Sequence, residues 1–377
     1  MEFKPMIRRK KSVIRIVRNL IEKQEYLKKG KVSPLSIPKI GKPSKNNFHR
    51  YITDKTSKTL FNPDSLGSEE LIEIIRDKNI SGKGGGAFST AEKIERLLAS
   101  KKESLTLIIN GVECDPGLRH DKWIMENHFE AIKQTARLLS SKLALDKVVL
   151  ARKKTKNEPD SAAGITTQYI PDYYPFGEER SLIKLVLNIE VPHDVYPADY
   201  GILILNVQTM YRIHAVLFEG VENPGHFLTL TNLKMNSAHV IFTEEGRSVY
   251  SIVNDLYPGE MDIYAGGGIM KSQKATIETI VNDRITSITI SSPIEYSSNK
   301  CLECMQCVIH CPAGLDVKQI AEKTREFDFT KPENPAINTE KCIGCGSCNY
   351  VCPAGLNLLS FCRDYSEKHL SAANTTS

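Results

Sequence analysis

Eight of the ten cysteines fall in two runs toward the C-terminus. Cys301, Cys304, Cys307 and Cys311 stand at C-x2-C-x2-C-x3-C-P, and Cys342, Cys345, Cys348 and Cys352 repeat that spacing. Thiolates so spaced hold [4Fe–4S] clusters, and the doubled run predicts two of them. Three cysteines on a tight loop reach three corners of one cubane. The fourth begins a short helix, points away and ligates the other cluster. The expected sets are Cys301, Cys304, Cys307 with Cys352, and Cys342, Cys345, Cys348 with Cys311. Pro312 and Pro353 turn the chain after the fourth ligand, and Gly344 and Gly346 let backbone N–H groups approach the sulfurs. A disulfide framework would need an oxidising compartment, and nothing at the N-terminus looks secretory. Zinc sites use shorter or differently spaced ligand sets. The chemistry is single-electron transfer.

A second constellation lies earlier. Ser81-Gly-Lys-Gly-Gly-Gly-Ala-Phe88 runs into a helix, STAEKIERLLAS. A glycine loop before a helix N-terminus offers bare N–H groups and a favourable dipole to an anion. The loop is not G-x-x-x-x-G-K-[ST], so it is no P-loop. Lys93, on the helix, can reach the same anion. The apolar run Leu105–Ile109 reads as a buried strand ending at Asn110-Gly-Val-Glu-Cys-Asp-Pro-Gly. Loops after parallel strands bind ligands, which makes Asn110, Glu113 and Asp115 site candidates.

These residues need elements to hold them. A helix over SEELIEIIRDKN, the strand, a helix over residues 121–141 and a strand at Lys147–Ala151 alternate as in an α/β domain with a largely parallel sheet. Residues 210–232 read as a helix and a crossing loop. Residues 238–290 are short β-prone runs with a helix at RSVYSIVNDLY and a tight hairpin at Gly266, Gly267 and Gly268. The length of 377 residues allows two or three domains. No apolar run approaches the roughly 18 residues of a membrane span. The net charge of +5 is concentrated in residues 1–31 and is no general nucleic-acid signature. Apolar positions from Val13 to Leu27 keep helical spacing among the basic residues. Such a helix suits an anionic membrane surface or a partner, through residues 7–31, or packs on its own domain. Residues 32–60 read as a linker, and the end of the chain reads as a disordered tail.

GKGGGAFSTAEK followed by NGVECDPG resembles paired signatures of the flavin subunit of respiratory complex I and of the C subunit of Rnf-type electron transport complexes. Tyr173-Tyr-Pro-Phe-Gly-Glu-Glu-Arg resembles the third signature, and EVPHDVYPADYGILILNVQT resembles the Rnf C subunit. The likeness covers roughly residues 65–365, in the same order. It implies a pocket for FMN and NADH lined by Gly82, Gly84, Gly85, Lys93, Asn110, Glu113, Tyr174, Gly177, Glu178, Glu179, Asn206 and Thr209, with Glu113 and Glu179 serving the chemistry and Phe88 stacking on the nucleotide. Glu179 is suited to ribose hydroxyls and would repel a 2′-phosphate. Cys114 stands where complex I has glycine, and reads as a buried filler or a redox-active thiol.

The fold the resemblance implies is α/β: a Rossmann-like FMN/NADH-binding domain at 61–234, a small β-grasp (SLBB-like) domain at 235–292 and an α-helical dicluster ferredoxin-like domain at 293–366. A basic segment and linker at 1–60 precede them and a tail at 367–377 follows. Residues 1–60 are too short and too basic for the hammerhead domain that opens the usual Rnf C subunit. The implied function is electron transfer from NADH through FMN and two [4Fe–4S] clusters to a protein acceptor or membrane electron transport complex. The implied location is cytoplasmic, peripheral on the inner face of the cell membrane. An iron–sulfur relay with a degenerate flavin pocket remains open, as does a cobalamin reductase of a diol-utilisation system. Flavin content separates the first of these, and reduction of cob(III)alamin by NADH the second.

Overall fold

A computed structural model describes residues 48–51, 61–82, 86–154, 163–192, 195–293, 295–326 and 339–362. They fall in two compact units, one within 36–294 and one from Glu295 onward.

In the first unit, α1 (Ser68–Asp77) and α2 (Thr90–Ala99) precede a sheet of β2 (Thr106–Gly111), β3 (Lys147–Arg152), β4 (Thr166–Tyr169) and β5 (Ile202–Asn206). Its order is β4-β3-β2-β5 and every pairing is parallel. Leu107, Ile109, Leu150, Leu203 and Leu205 face the core filled by α1 and α2, by α3 (His120–Asn127) and α4 (Phe129–Lys142), and by α6 (Val207–Leu217). Ile108, Ala151, Ile202 and Ile204 face the other way, onto Leu182 and Ile183 of α5 (Glu179–Leu187). Burial on both faces explains why these strands read as continuous apolar runs. The chain steps from β2 outward to β3 and β4, then crosses back through α5 to lay β5 on the far side of β2. The strand order therefore reverses between β2 and β5, where such sheets open a crevice at their carboxyl ends.

The single helix expected over 121–141 is two, broken at His128 with φ −130° and ψ 30°. The His128 ring packs against Trp123, Tyr211 and Phe227 at centroid distances of 5.4, 4.7 and 6.3 Å. Aromatic packing here overrides local helix propensity.

A second, mixed sheet contains β6 (His226–Asn232), β7 (Ser237–Thr243), β8 (Asp262–Gly266), β9 (Gln273–Lys274) and β10 (Ser287–Ser291), with β1 (Phe48–Tyr51) at one edge. α7 (Val249–Leu256) covers it through Val249, Ile252 and Val253. The expected linker over 32–60 thus contains a strand. β1 runs parallel to β7, and Phe48 stacks on Trp123 with centroids 4.3 Å apart. The stretch Phe-His-Arg-Tyr does not alternate apolar with polar residues, so no period-2 pattern marks it. The expected helix over residues 7–31 and the tail at 367–377 lie outside the described residues.

Asp115 also departs from expectation. Its Oδ1 accepts from Ile269 N at 2.8 Å, and a Cβ on Gly268 would lie 2.2 Å from its Oδ2. Gly268 has φ +121°, where a side chain is strained in any case. Asp115 fastens the loop after β2 to the second sheet, and burial pushes its carboxyl up to about 7. It is a tie between elements rather than a ligand-facing group.

The second unit holds α8 (Gln306–Ile309), α9 (Val317–Glu326) and α10 (Ser347–Val351). Its core mixes Leu315, Val317, Ile320, Leu356, Leu358 and Leu359 with the cysteines themselves. So small an apolar core is the setting in which bound metal contributes folding energy.

Candidate functional site

The glycine loop is pinched shut at its ends. Gly82 N donates to Phe88 O at 2.8 Å and Ala87 N to Gly82 O at 3.2 Å, with Ala87 at φ 53°. Gly84 and Gly85 lie outside the described residues. The loop feeds α2, whose N-cap Ser89 accepts from Glu92 N at 3.3 Å. One turn in, Lys93 Nζ lies 2.5 Å from Glu179 Oε1 and 3.5 Å from Ile204 O. It also stands 5.9 Å above the Phe88 ring. The helix dipole and the ammonium favour an anion at the same place.

Asn110 and Asn206 are register partners at the carboxyl ends of β2 and β5, on either side of the strand-order reversal. Asn110 Nδ2 donates to Gly177 O at 2.9 Å, and its Oδ1 accepts from Val112 N at 3.1 Å. Asn206 caps α6 by accepting from Gln208 N at 2.7 Å, and its Nδ2 donates to Asp121 Oδ2 at 2.7 Å. Glu178 caps α5, accepting from Arg180 N at 3.1 Å and Ser181 N at 2.9 Å. These contacts join Lys93, Asn110, Gly177, Glu178, Glu179 and Asn206 into one group. The amide of Asn110 carries two donors and spends one on Gly177, so the other can serve a ligand. Gly177 is tightly packed, since a Cβ there would lie 3.0 Å from Cys114 Sγ. Burial pushes the Cys114 thiol up to about 12, which fits the filler and not the redox-active thiol. Tyr174 and Thr209 are buried, Thr209 in the first turn of α6, with little surface to offer a ligand.

The two carboxylates expected to serve the chemistry differ. Glu113, at φ 42°, spends Oε1 on Asp121 N at 2.8 Å and Oε2 on Lys122 N at 3.3 Å. Both oxygens are thus taken up at the start of α3, which it caps. Glu179 keeps 42% of its side chain exposed and is the carboxylate with access to a ligand. Burial pushes Glu113 up to about 6. Burial and the Glu113 charge drive Asp121 well above the usual carboxylate range. His120 is buried and pushed down to about 3, with Nδ1 3.0 Å from Thr229 Oγ1.

Sequence reasoning missed His120, Asp121, Lys153 and Tyr196. Lys153 Nζ donates to Glu113 O at 2.6 Å and pairs with Asp172 Oδ1 at 2.6 Å. The Tyr196 ring lies 5.6 Å from Phe88, with the Arg96 guanidinium 4.2 Å above it. The run Arg119-His-Asp-Lys, one residue beyond the NGVECDPG loop, was a usable signal: ionisable residues at a helix start, beside a strand end.

In the second unit the cysteines line two cavities. One is lined by Cys301, Cys304, Cys307 and Cys352, the other by Cys311, Cys342, Cys345 and Cys348. Four sulfurs set among mostly apolar side chains are the donor set of a cubane, so the residues present fit two [4Fe–4S] clusters. Each position in the second run lies 41 residues after its counterpart in the first. The backbone follows the repeat: φ is 52° and 57° at Glu303 and Met305, and 62° and 73° at Gly344 and Gly346. Glu303 N donates to Cys301 Sγ at 3.4 Å and Leu315 N to Cys311 Sγ at 3.3 Å. Gly346, at the N-cap of α10, tolerates the left-handed conformation without strain. Gly346→Ala is expected to cost about 1 kcal/mol, seen as earlier loss of cluster absorbance in a urea titration, while Met305→Gly keeps both clusters. Equal midpoints for wild type and Gly346→Ala would contradict this.

The family model of the Nuo51 FMN-binding domain matches residues 75–215, and that of the 4Fe-4S dicluster domain matches residues 293–356. The C subunit of the ion-translocating oxidoreductase complex of Haemophilus influenzae is 31% identical over 288 residues, covering 72% of this chain and 35% of that protein. Its namesake in Pasteurella multocida is 27% identical over 284 residues, covering 71% of this chain and 34% of that protein. The chain thus spans about a third of the length of these relatives. The crystal structure of NAD+-reducing [NiFe]-hydrogenase in the air-oxidized state matches with a TM-score of 0.50 at 14% identity, over 80% of this chain and 54% of that one. That likeness is one of fold. No helix among the described residues is long and apolar enough to cross a membrane.

Proposed function

Taking the chain as one that joins the Nuo51 FMN-binding domain to a 4Fe-4S dicluster domain, we propose that it carries electrons from NADH, by way of FMN and two [4Fe–4S] clusters, to a protein acceptor. The observation that carries this reading is the coexistence in one chain of the Lys93–Asn110–Asn206 group at a strand-order reversal and two four-cysteine cavities.

On this reading the Gly82 loop, the N-terminus of α2 and Lys93 hold the FMN phosphate. Asn110 and Asn206 turn amide edges toward the ring and the ribityl chain. Glu179 accepts from ribose hydroxyls of NADH, and Phe88 with Tyr196 supplies aromatic surface for the nucleotide. Glu178, Glu113 and the Asp121–Asn206 bond keep α5, α3 and α6 in place around them. When bound, FMN supplies the exchange between two-electron and one-electron chemistry. The eight cysteines hold the clusters, and backbone N–H groups on their sulfurs tune them.

The relatives are named as subunits of an ion-translocating oxidoreductase complex. The acceptor on this reading lies in such a membrane complex, which the chain meets as a peripheral subunit on the cytoplasmic face. The proposed domains start from 61–234, 235–292 and 293–366, with Phe48–Tyr51 and His226–Asn232 moved to the second, whose sheet both strands join.

The test is cofactor content of anaerobically purified protein, followed by NADH addition. FMN near one per chain, about eight irons, and bleaching of cluster absorbance by NADH are expected. Iron without flavin, and no response to NADH after reconstitution with FMN, would overturn the dehydrogenase reading and leave an iron–sulfur relay.

A further inference from the structure

The second cavity contains a fifth cysteine. Cys362, only 2% exposed, lines it together with Cys311, Cys342, Cys345 and Cys348. It sits on the helical stretch that begins at Leu358, and its thiol hydrogen-bonds the Cys342 side chain. The repeat of 41 residues gives Cys362 a counterpart in Ala321 of α9, which lines the first cavity. A methyl group cannot donate a hydrogen bond. At this position, therefore, only the second of two otherwise matched cavities offers a donor.

A cubane has four iron corners, and Cys311, Cys342, Cys345 and Cys348 supply four thiolates. The fifth sulfur has no iron left to take. A thiol that ligates no iron keeps its S–H and can donate it, whereas a Cys342 thiolate bound to iron is an acceptor only. Hydrogen bonds to cluster sulfurs stabilise the added electron and raise the reduction potential, and a buried apolar cavity strengthens each of them. We propose that Cys362 is a positioning residue whose S–H donates to the Cys342 sulfur and holds the potential of the second cluster above the value it would otherwise have. This rests on the reading that the second cavity holds a [4Fe–4S] cluster. It makes the two clusters inequivalent. The first has Lys318 at its rim, where the ammonium lies 3.3 Å from Glu322 and 3.9 Å from Glu303. The second has apolar Leu359 at that repeat position and the thiol of Cys362 one turn on.

The test compares full-length wild type with Cys362→Ala, Cys362→Val and Cys362→Ser, each purified anaerobically, by iron analysis and an EPR-monitored reductive titration. Iron content is expected to stay at about eight in all four. Ala and Val are expected to lower the midpoint of one cluster and leave the other unchanged, while Ser, which keeps a donor, stays near wild type. Val refills the volume without a donor, so it reads the hydrogen bond even if Ala fails to fold. Midpoints that do not move, or that rise, in Ala and Val would make Cys362 a packing residue and overturn the proposal. Loss of about half the iron in Ala and Val would overturn it too, by making Cys362 a ligand. Wild type lacking iron altogether would overturn the cluster reading itself.

Discussion

Replacing Cys311 and Cys342 together by alanine is expected to leave about four of eight irons, whereas replacing Cys307 and Cys311 together is expected to leave almost none. Single substitutions cannot make this distinction, because either ligand scheme loses one cluster. The doubles can. Cys311 belongs by sequence to the first run, but it lines the second cavity with Cys342, Cys345 and Cys348. Cys307 lines the first, with Cys352. A pair drawn from one cavity therefore removes one cluster, and a pair from one run that includes its fourth cysteine removes two. The effect is large because a cluster is also part of the fold. The cysteines make up much of a core whose other members are a few leucines, valines and alanines with Ile320 and Phe361, and metal binding there counts as folding free energy. The doubly depleted variant is expected to lose its helical structure from Glu295 onward and to be cut by protease, while the singly depleted one resists. Iron counts that follow the runs instead of the cavities would refute the exchange of the fourth ligand.

The cysteine runs were legible because eight residues in two identical short stretches admit few alternatives, and the two cavities are lined by cysteines grouped as the exchanged sets expect. The parallel sheet was legible for a related reason, since strands buried on both faces announce themselves as apolar runs ending in loops that carry polar residues. What escaped depended on contacts far apart in the chain. Nothing local in FHRY says that Phe48 will stack on Trp123. Nothing local at His128 says that it ends a helix to reach Tyr211 and Phe227. Glu113 and Asp115 read alike as acidic residues on one loop, yet Glu113 caps α3 and Asp115 ties the loop to Ile269 in the turn between β8 and β9. Cys362 lies outside both cysteine runs, and only the fold brings it to the second cavity. The repeat could have hinted at it, because it pairs Cys362 with Ala321 one helical turn after the cluster loops.

Lys93→Ala is expected to weaken FMN binding about 10- to 100-fold while changing stability by less than about 1 kcal/mol. The two halves follow from different surroundings of one ammonium. Within the protein its partner is Glu179, whose side chain is 42% exposed, against 19% for Lys93. A pair with one partner this exposed contributes little to folding, because solvent screens it and two long side chains must be ordered to form it. Toward a phosphate the same ammonium works alongside the amides of the glycine loop and the dipole of α2, where a charge-assisted bond is worth roughly 1.5–3 kcal/mol. Glu179→Gln should act in the opposite sense on FMN, since it frees Lys93 from its internal partner. It should weaken NADH, which loses an acceptor for its ribose hydroxyls. Flavin fluorescence quenching measures the first affinity, and NADH-dependent bleaching at saturating FMN measures the second. A Lys93→Ala protein that binds FMN as wild type does, but unfolds at clearly lower urea, would make the lysine a structural strut. A Glu179→Gln protein with unchanged NADH response would remove the carboxylate from the nucleotide site.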